Sequence, residues 1–201
     1  IRDRYSFASE NDLKVIEDSA DTIGYEYKSD FDNWSDVTTT SFYASHVVTG
    51  AGFGGMVCFN EKKNYELGLS LRGWGRRSSL YGESEDYERR FSAKIDGLDY
   101  DDKYIFDDIA YNFLPSEISA AFALEQIKKL RKNISTRNKN FDYLKKFFGN
   151  YTNYFKLPSQ NPGVKTPWLA FPLVIKKNKK FDRKKMQIFF EKNNIQTRTI
   201  F

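Results

Sequence analysis

The chain is poor in the residues that build disulfides, metal clusters and membrane spans. Its 201 residues include one cysteine, Cys58, and one histidine, His46. A single cysteine cannot form an internal disulfide, and these two residues cannot make a Cys/His metal cluster. No apolar run reaches the roughly 18 residues that cross a bilayer, and no apolar signal region opens the chain. We therefore expect no metal, no membrane contact and a reducing, cytoplasmic setting.

Charged residues are plentiful, and basic ones are in excess. The net charge is +5, and many lysines fall in two runs, residues 176–180 and 183–185. A basic excess can indicate nucleic-acid binding. These runs flank an expected turn and helix start, however, where lysines usually serve solubility. Because 40% of the residues are hydrophobic and 17% aromatic, a disordered chain is excluded and a packed core is expected.

Short apolar runs separated by turn residues predict an α/β fold. Strands are expected over Leu13–Ile16, Val37–Tyr43 and Met56–Phe59. A helix is expected to end near residue 12, another should cover 63–72, and aromatic-rich Tyr25–Trp34 suggests a surface hairpin or loop. This order of elements is typical of a mostly parallel sheet with helical cover. The polar stretch from residue 72 to about 104 predicts a long loop that is functional or an interface arm.

A long helix is predicted after Ser116, which suits an N-cap, with Glu117 in the first turn. Apolar residues recur in two adjoining helical stripes as far as Phe148, which indicates a well-buried helix. Gly149 and Asn150 should end it.

A second, smaller unit is expected from about residue 153. It should contain a strand over Leu169–Ile175 and an amphipathic helix over 181–193, and Asn194–Arg198 should lead into a further strand that is cut off at Phe201. The chain also begins without methionine, so we expect a fragment truncated at both ends.

Two segments present polar side chains where a strand should end. Asp18 follows the first apolar run, and ligands of open α/β sheets lie beyond the carboxyl ends of strands. Capping of the following turn is the alternative role for Asp18. The threonine-rich stretch Thr38–His46 reads as a strand that delivers hydroxyl groups and the histidine to one place. A lone histidine is more often structural than catalytic, so this pattern needs further support.

That support comes from five blocks that occur in a fixed order. They are Glu17–Asp21, Ser41–His46, Gly54–Val57, Arg72–Gly75, and Tyr111–Phe113 together with Ser116–Ile118. In this order they resemble the DegT/DnrJ/EryC1/StrS sugar aminotransferase family, which has the fold type I architecture of pyridoxal phosphate enzymes. The resemblance implies that residues 1–152 are the later part of the large cofactor domain with its connecting helix. Residues 153–201 would begin the small C-terminal α+β domain.

His46 stands where members of this family usually carry the lysine that binds the cofactor covalently. A histidine cannot form a Schiff base, so the resemblance implies non-covalently bound pyridoxal or pyridoxamine phosphate. It points to the 3-dehydratase branch, which removes the 3-hydroxyl of nucleotide-linked 4-keto-6-deoxy sugars for lipopolysaccharide biosynthesis, with L-glutamate as the expected amino donor. One member of this branch holds an iron–sulfur cluster with four cysteines. No cysteine follows Trp74–Arg76 here, so we expect no cluster, and a GDP-sugar is favoured over a CDP-sugar.

The resemblance also assigns roles to individual residues. Asp18 would keep the pyridine nitrogen protonated, and Asp21 would lie near the ring or its hydroxyl. Ser41 would bond the cofactor phosphate, unless its hydroxyl only bonds its own backbone. His46 would remove the C3 proton or, as its conjugate acid, assist departure of the hydroxide.

The resemblance also assigns roles to two residues that lie outside residues 18–46. Asn112 would reach the phosphate across a homodimer interface, or else it is a turn residue before the long helix. Arg198 would meet the substrate or a carboxylate, unless it is simply an exposed arginine. An ordinary sugar aminotransferase and a non-catalytic relative are the alternatives to a dehydratase.

Overall fold

The computed structural model describes residues 2–27, 35–81 and 86–199. Its helices are α1 (Arg2–Glu10), α2 (Lys62–Arg72), α3 (Tyr87–Arg90), α4 (Glu117–Gly149) and α5 (Arg183–Lys192). Its strands are β1 (Ile16–Asp18), β2 (Glu26–Tyr27), β3 (Val37–Ser41), β4 (Gly55–Phe59), β5 (Ala93–Ile95), β6 (Leu98–Tyr100), β7 (Phe155–Lys156), β8 (Val164–Lys165) and β9 (Val174–Ile175). The predicted helix ending near residue 12 and the helix over 63–72 are both confirmed.

A three-stranded sheet in the order β1-β3-β4 forms the centre of the N-terminal part. β1 runs parallel to β3, with Asp18 beside Thr39, and β4 runs antiparallel to β3, with Gly55 opposite Ser41. The antiparallel pair follows from the loop between β3 and β4, which contains no helix that could return the chain to the other end of the sheet. Within this sheet, the expected parallel pairing therefore holds for one of its two pairs.

Two predicted strand boundaries were wrong. β1 begins at Ile16 rather than Leu13, since the chain before it is tied to the start of β3: the Val15 N–H donates to the Asp36 carboxylate over 2.7 Å. β3 ends at Ser41 rather than carrying on to His46. Its end is a turn in which the Tyr43 N–H donates to Ser41 Oγ over 3.2 Å, a local bond that competes with strand pairing.

The glycine loop after His46 returns the chain tightly into β4. Ala51, Gly52 and Gly54 all have positive φ, between 55° and 98°. Gly50 also has no room for a side chain, because a Cβ there would lie 2.3 Å from the Phe53 carbonyl oxygen. This stretch needs glycine for backbone geometry, and Val47 and Val48 at its start are buried.

The polar stretch from residue 72 is not the structureless loop that was predicted. In its described part it forms two short 3-10 turns, helix α3 and the β5-β6 hairpin. Arg77 makes a two-point ion pair with Asp107, at 2.7 and 3.1 Å, and Arg90 pairs with Asp101. The shortage of aliphatic residues predicted a loop, but pairs of opposite charges hold this segment in regular structure.

Helix α4 spans 33 residues and starts and ends where predicted, although the N-cap Ser116 makes no side-chain cap bond. Its buried aromatic side chains lie in its second half: Phe141 stacks on Trp168 with ring centroids 4.0 Å apart, and Phe148 packs on Phe155. The first half exposes apolar side chains, including Ile118, which is 78% exposed. The prediction of a well-buried helix was therefore wrong for the first half, because apolar periodicity does not say what covers the stripe.

The C-terminal part is built on the aromatic cluster at the end of α4. β7 pairs with β9, and β8 pairs with β2 of the N-terminal part. Helix α5 confirms the predicted amphipathic helix, and its N-cap Asp182 accepts from the Lys185 N–H.

Of the two strands predicted for this part, the first was wrong in its bounds. The first shrinks to β9, since Pro172 has no N–H to pair. The second strand was expected to follow Asn194–Arg198 and to be cut off at Phe201, and residues 200–201 lie outside the described residues. Before them, Glu191 accepts hydrogen bonds from both the N–H and the hydroxyl of Thr197. The described part of the chain contains no helix that is long and apolar enough to cross a membrane.

Candidate active site

His46 lies in the turn that follows β3, and both of its ring nitrogens have partners. Nδ1 is 3.1 Å from the Ser41 carbonyl oxygen, and Nε2 is 2.9 Å from Asp21 Oδ1. The Tyr43 ring meets the imidazole edge-on, with centroids 5.9 Å apart. The imidazole side chain is 15% exposed, whereas that of Asp21 is 59% exposed. The histidine is therefore fixed in orientation, and its carboxylate partner faces solvent.

Asp21 reaches His46 because hydrogen bonds tie the turn after β1 to β3. The Ser19 N–H donates to the Thr39 carbonyl over 2.8 Å, and the Thr40 hydroxyl donates to the Ser19 carbonyl over 3.2 Å. These bonds hold the turn at the same end of the sheet as the turn that carries His46. The threonine-rich strand thus holds the turn in place through its hydroxyl and backbone hydrogen bonds. The sequence pattern gave no signal of the contact between Asp21 and His46.

Asp18, Thr39 and Ser41 lie on one face of the sheet. Asp18 pairs side by side with Thr39 in the parallel register, and Ser41 is two residues further along β3, where the side-chain alternation repeats. Asp18 Oδ1 accepts from the Ala20 N–H over 3.1 Å, so the turn-capping role exists. The Asp18 side chain is nevertheless exposed and keeps acceptor capacity for a ligand.

Ser41 also shows the alternative that the sequence left open, since its hydroxyl oxygen accepts from the Tyr43 N–H. That bond uses a lone pair and leaves the hydroxyl proton available to a phosphate oxygen. Four of the six predicted site residues, Asp18, Asp21, Ser41 and His46, are therefore brought to one end of the sheet. Tyr43 is an addition that the sequence analysis did not single out.

The other two predicted residues lie apart from this cluster in the described chain. Asn112 is exposed and forms an isolated antiparallel bridge with Gly73, beside the stacked rings of Tyr111 and Phe113. Arg198 is exposed too, and its guanidinium donates to the carbonyl of the neighbouring Thr197 over 3.2 Å. Neither side chain bonds to Asp18, Asp21, Ser41 or His46 among the described residues.

The chemistry of the cluster suits a pyridine ring with a phosphate better than it suits a metal. An exposed carboxylate matches a protonated ring nitrogen, and a hydroxyl with a free proton matches a phosphate oxygen. Within residues 2–27, 35–81 and 86–199, no group of three His, Cys, Asp or Glu side chains could hold a metal ion.

Sequence comparison identifies the family of the chain. The DegT/DnrJ/EryC1/StrS aminotransferase family model matches residues 4–201, and the chain belongs to that family. It is 31% identical over 198 residues to the dTDP-4-dehydro-2,6-dideoxy-D-glucose 3-dehydratase of Saccharopolyspora spinosa. That alignment covers 96% of this chain and 42% of the relative. It is 29% identical over 198 residues to the lipopolysaccharide biosynthesis protein RfbH of Salmonella typhimurium, covering 96% and 45%.

Structure comparison confirms the predicted fold class. The GDP-4-keto-6-deoxy-D-mannose-3-dehydratase of E. coli, solved with bound hydrated pyridoxal phosphate, superposes with a TM-score of 0.73 at 23% identity. The match covers 95% of this chain and 47% of that one. The fold is thus fold type I of the pyridoxal phosphate enzymes, and the chain spans about half the length of the relatives it matches.

Proposed function

We propose that this protein is a pyridoxamine phosphate-dependent 3-dehydratase acting on a nucleotide-linked 4-keto-6-deoxyhexose, in 3,6-dideoxy sugar biosynthesis for lipopolysaccharide. The observation that carries the proposal is His46, placed where the family usually has its Schiff-base lysine. Its Nδ1 bonds the Ser41 carbonyl and its Nε2 lies 2.9 Å from the exposed Asp21 carboxylate. Relatives named as sugar 3-dehydratases support the reaction class.

Asp18 and Ser41 would hold the cofactor without a covalent bond. Asp18 would accept from the protonated pyridine nitrogen, and the Ser41 hydroxyl would donate to the phosphate. The chemistry supplied by bound pyridoxamine phosphate is an amine for the C4 ketone of the sugar and a ring that accepts electrons.

His46 moves the proton that lets the 3-hydroxyl leave. Nε2 gives its proton to the hydroxyl oxygen, the C3–O bond breaks with its electron pair on oxygen, and water departs. The loss of this hydroxyl is a two-electron reduction of the sugar, and L-glutamate supplies those electrons overall. The balanced reaction converts the keto sugar and glutamate into the 3-deoxy keto sugar, 2-oxoglutarate and ammonia.

An ordinary sugar aminotransferase is the second candidate, because the family contains such enzymes. It would need a lysine at position 46, and the imidazole there cannot form the required covalent link. A non-catalytic relative is the third candidate. The joint presence of Asp18, Ser41 and His46 argues against it, since a site without function has no reason to keep all three groups.

The remaining parts of the proposal concern assembly. Residues 1–152 would belong to the large domain and 153–201 to the small one, in a cytoplasmic homodimer. Asn112 would reach the partner's cofactor phosphate, and the exposed Phe113 and Ile118 beside it suit a subunit contact. Arg198 would contact the nucleotide sugar.

Product analysis tests the proposal. The full-length protein is incubated with cofactor, L-glutamate and a 4-keto-6-deoxyhexose linked to GDP, CDP or dTDP. We expect a 3-deoxy product by mass spectrometry with one ammonia released per turnover, and no lysine-bound cofactor after borohydride treatment. A 4-amino sugar formed without ammonia would establish the aminotransferase instead.

A further inference from the structure

We propose that residues 176–192, which we call the basic segment, bind the surface of an anionic lipid bilayer. The juxtaposition that carries this proposal is a dense cluster of exposed lysines next to two exposed apolar side chains, Ile188 and Phe189, on α5. The expectation of no membrane contact followed from the lack of an apolar span, and binding at the surface of a bilayer needs no span. Such binding would decide where the protein acts, and it is independent of the reaction proposed above.

Charge is distributed unevenly along the chain. Residues 153–201 contain eleven lysines and arginines and two carboxylates, a net charge of +9, although the whole chain carries +5. The 152 residues before them therefore carry a net charge of −4. A general abundance of lysine would raise the charge of both parts alike. The difference thus singles out the C-terminal part as the one that is attracted to an anionic surface.

The basic residues are densest where α5 begins. Seven of the ten residues from 176 to 185 are lysine or arginine, and all seven are exposed. Within the described part of the chain, none of the seven forms an ion pair. The one carboxylate among them, Asp182, accepts from the Lys185 N–H as the cap of the helix. Most of this charge is therefore left for an anion from outside the chain.

The stability of α5 does not explain these charges. After the cap, the first turn of the helix contains no acidic residue, and Arg183, Lys184 and Lys185 stand there instead. A helix dipole is positive at its N-terminus, so cations at this end are unfavourable. An anionic partner would offset that repulsion.

The lysines before α5 lie on an ordered turn. The side-chain oxygen of Asn178 accepts from the Lys180 and Phe181 N–H groups, at 2.9 and 3.0 Å. Its side-chain amide donates to the Lys176 carbonyl over 2.9 Å. The Phe181 ring then packs on that of Phe155, with centroids 5.7 Å apart. Little backbone entropy would therefore be lost when the turn meets a charged surface.

Two apolar side chains favour an anionic bilayer over a nucleic acid. Residues 185, 188, 189 and 192 follow one another at spacings of three and four on α5, so they share one face. On this face Ile188 is 45% and Phe189 61% exposed, between Lys185 and Lys192. In membrane-surface helices, basic side chains meet the lipid phosphates while apolar ones enter the acyl boundary. The backbone of a nucleic acid would use the lysines alone.

Co-sedimentation of the full-length protein with vesicles tests the proposal. We expect binding to vesicles of phosphatidylcholine mixed with phosphatidylglycerol, which high salt weakens, and no binding to phosphatidylcholine alone. Lys177→Gln combined with Lys179→Gln should weaken binding about 30-fold, because each lysine near an anionic surface contributes about fivefold. The matched control, Lys62→Gln with Lys63→Gln, removes the same charge from α2 and should leave binding unchanged.

A second variant separates the bilayer from a nucleic acid. Phe189→Ser keeps every charge and should weaken vesicle binding about tenfold, because the phenyl ring no longer enters the acyl boundary. Binding of the same variant to a DNA duplex should equal that of the wild type. Circular dichroism confirms that each variant is folded.

The proposal is overturned if the wild type does not bind the anionic vesicles or binds both kinds of vesicle equally. It is also overturned if the paired lysine variant binds as the wild type does. Tighter binding to the DNA duplex than to the vesicles, with vesicle binding unchanged in Phe189→Ser, would assign the basic segment to a nucleic acid instead.

Discussion

Two contacts between a carboxylate and a nitrogen base in this molecule have similar distances and different chemistry. The Asp21 carboxylate lies 2.9 Å from His46, and the Asp107 carboxylate lies 2.7 Å from Arg77. The guanidinium of arginine does not release its proton in proteins, whereas an imidazole gains and loses one near neutral pH. The Arg77 pair can therefore only hold the polar segment together, while the His46 pair can pass a proton to a ligand.

This contrast shows why contact geometry alone does not identify a site. What distinguishes the His46 pair is its position at the end of the sheet, with Asp18 and Ser41 on the adjoining strands. Removing the His46 side chain should lower catalysis and leave the stability unchanged. Removing the Asp107 side chain should lower the stability and leave catalysis unchanged.

The largest effect is expected for His46→Asn. Loss of the proton donor should lower the rate of 3-deoxy sugar formation by about 10²- to 10⁴-fold. The free energy of unfolding should change little, because asparagine can still bond the Ser41 carbonyl. His46→Lys should also abolish dehydration. The rates come from product analysis, and a variant that kept its rate would place the acid elsewhere.

Asp18→Asn should give the next largest effect. It replaces a charge-assisted bond to the pyridine nitrogen with a neutral one, and a bond to a charged group contributes about 1.5–3 kcal/mol. We expect pyridoxamine phosphate to bind about 10- to 100-fold more weakly, measured by absorbance titration. Asp99→Asn, in the β5-β6 hairpin, is the matched control. Equal affinity of the two variants would show that Asp18 serves only the turn.

Asp107→Asn should have a small effect, on stability alone. The pair with Arg77 is two-pointed but roughly half exposed, so its loss should cost about 0.5–1 kcal/mol of unfolding free energy. Chemical denaturation measures this change, and turnover should equal that of the wild type. A loss of turnover with unchanged stability would reverse the roles assigned to the two pairs.

The effect of Asp107→Asn on the free energy of unfolding should change with pH in a known direction. The Arg77 guanidinium lowers the pKa of the Asp107 carboxyl, and Arg90 likewise lowers the pKa of Asp101. A carboxyl with a lowered folded-state pKa stabilises the fold above its unfolded pKa of about 3.9, and that contribution disappears as pH falls through the folded value. The stability difference between wild type and Asp107→Asn should therefore shrink below about pH 4. A constant difference across this range would contradict the assignment.

Much of the fold could be predicted from the sequence, because it rests on local patterns. The helical periodicity and end signals of α4 gave both of its ends, and the ordered motif blocks gave the fold class. The predictions that failed depended on contacts between residues far apart in the sequence. The exposure of Ile118 could not be foreseen, since apolar periodicity shows that a face exists without showing what packs on it.

The sequence predicted which side chains gather at this end of the sheet, but it did not predict the contacts between them. The motif blocks brought Asp18, Asp21, Ser41 and His46 together as candidates. The contact between Asp21 and His46 joins residues on different strand ends, and it depends on hydrogen bonds from Ser19 and Thr40 that leave no periodic trace in the sequence. Asn112 and Arg198 keep their assigned roles as predictions.

The central claim is that the protein breaks the C3–O bond of its sugar with a proton from His46. The most direct measurement uses a nucleotide-linked 4-keto-6-deoxyhexose that carries heavy oxygen in its 3-hydroxyl. After turnover by the full-length protein with glutamate, mass spectrometry should find the label in water and none in the sugar. A product that retains the heavy oxygen would contradict the claim.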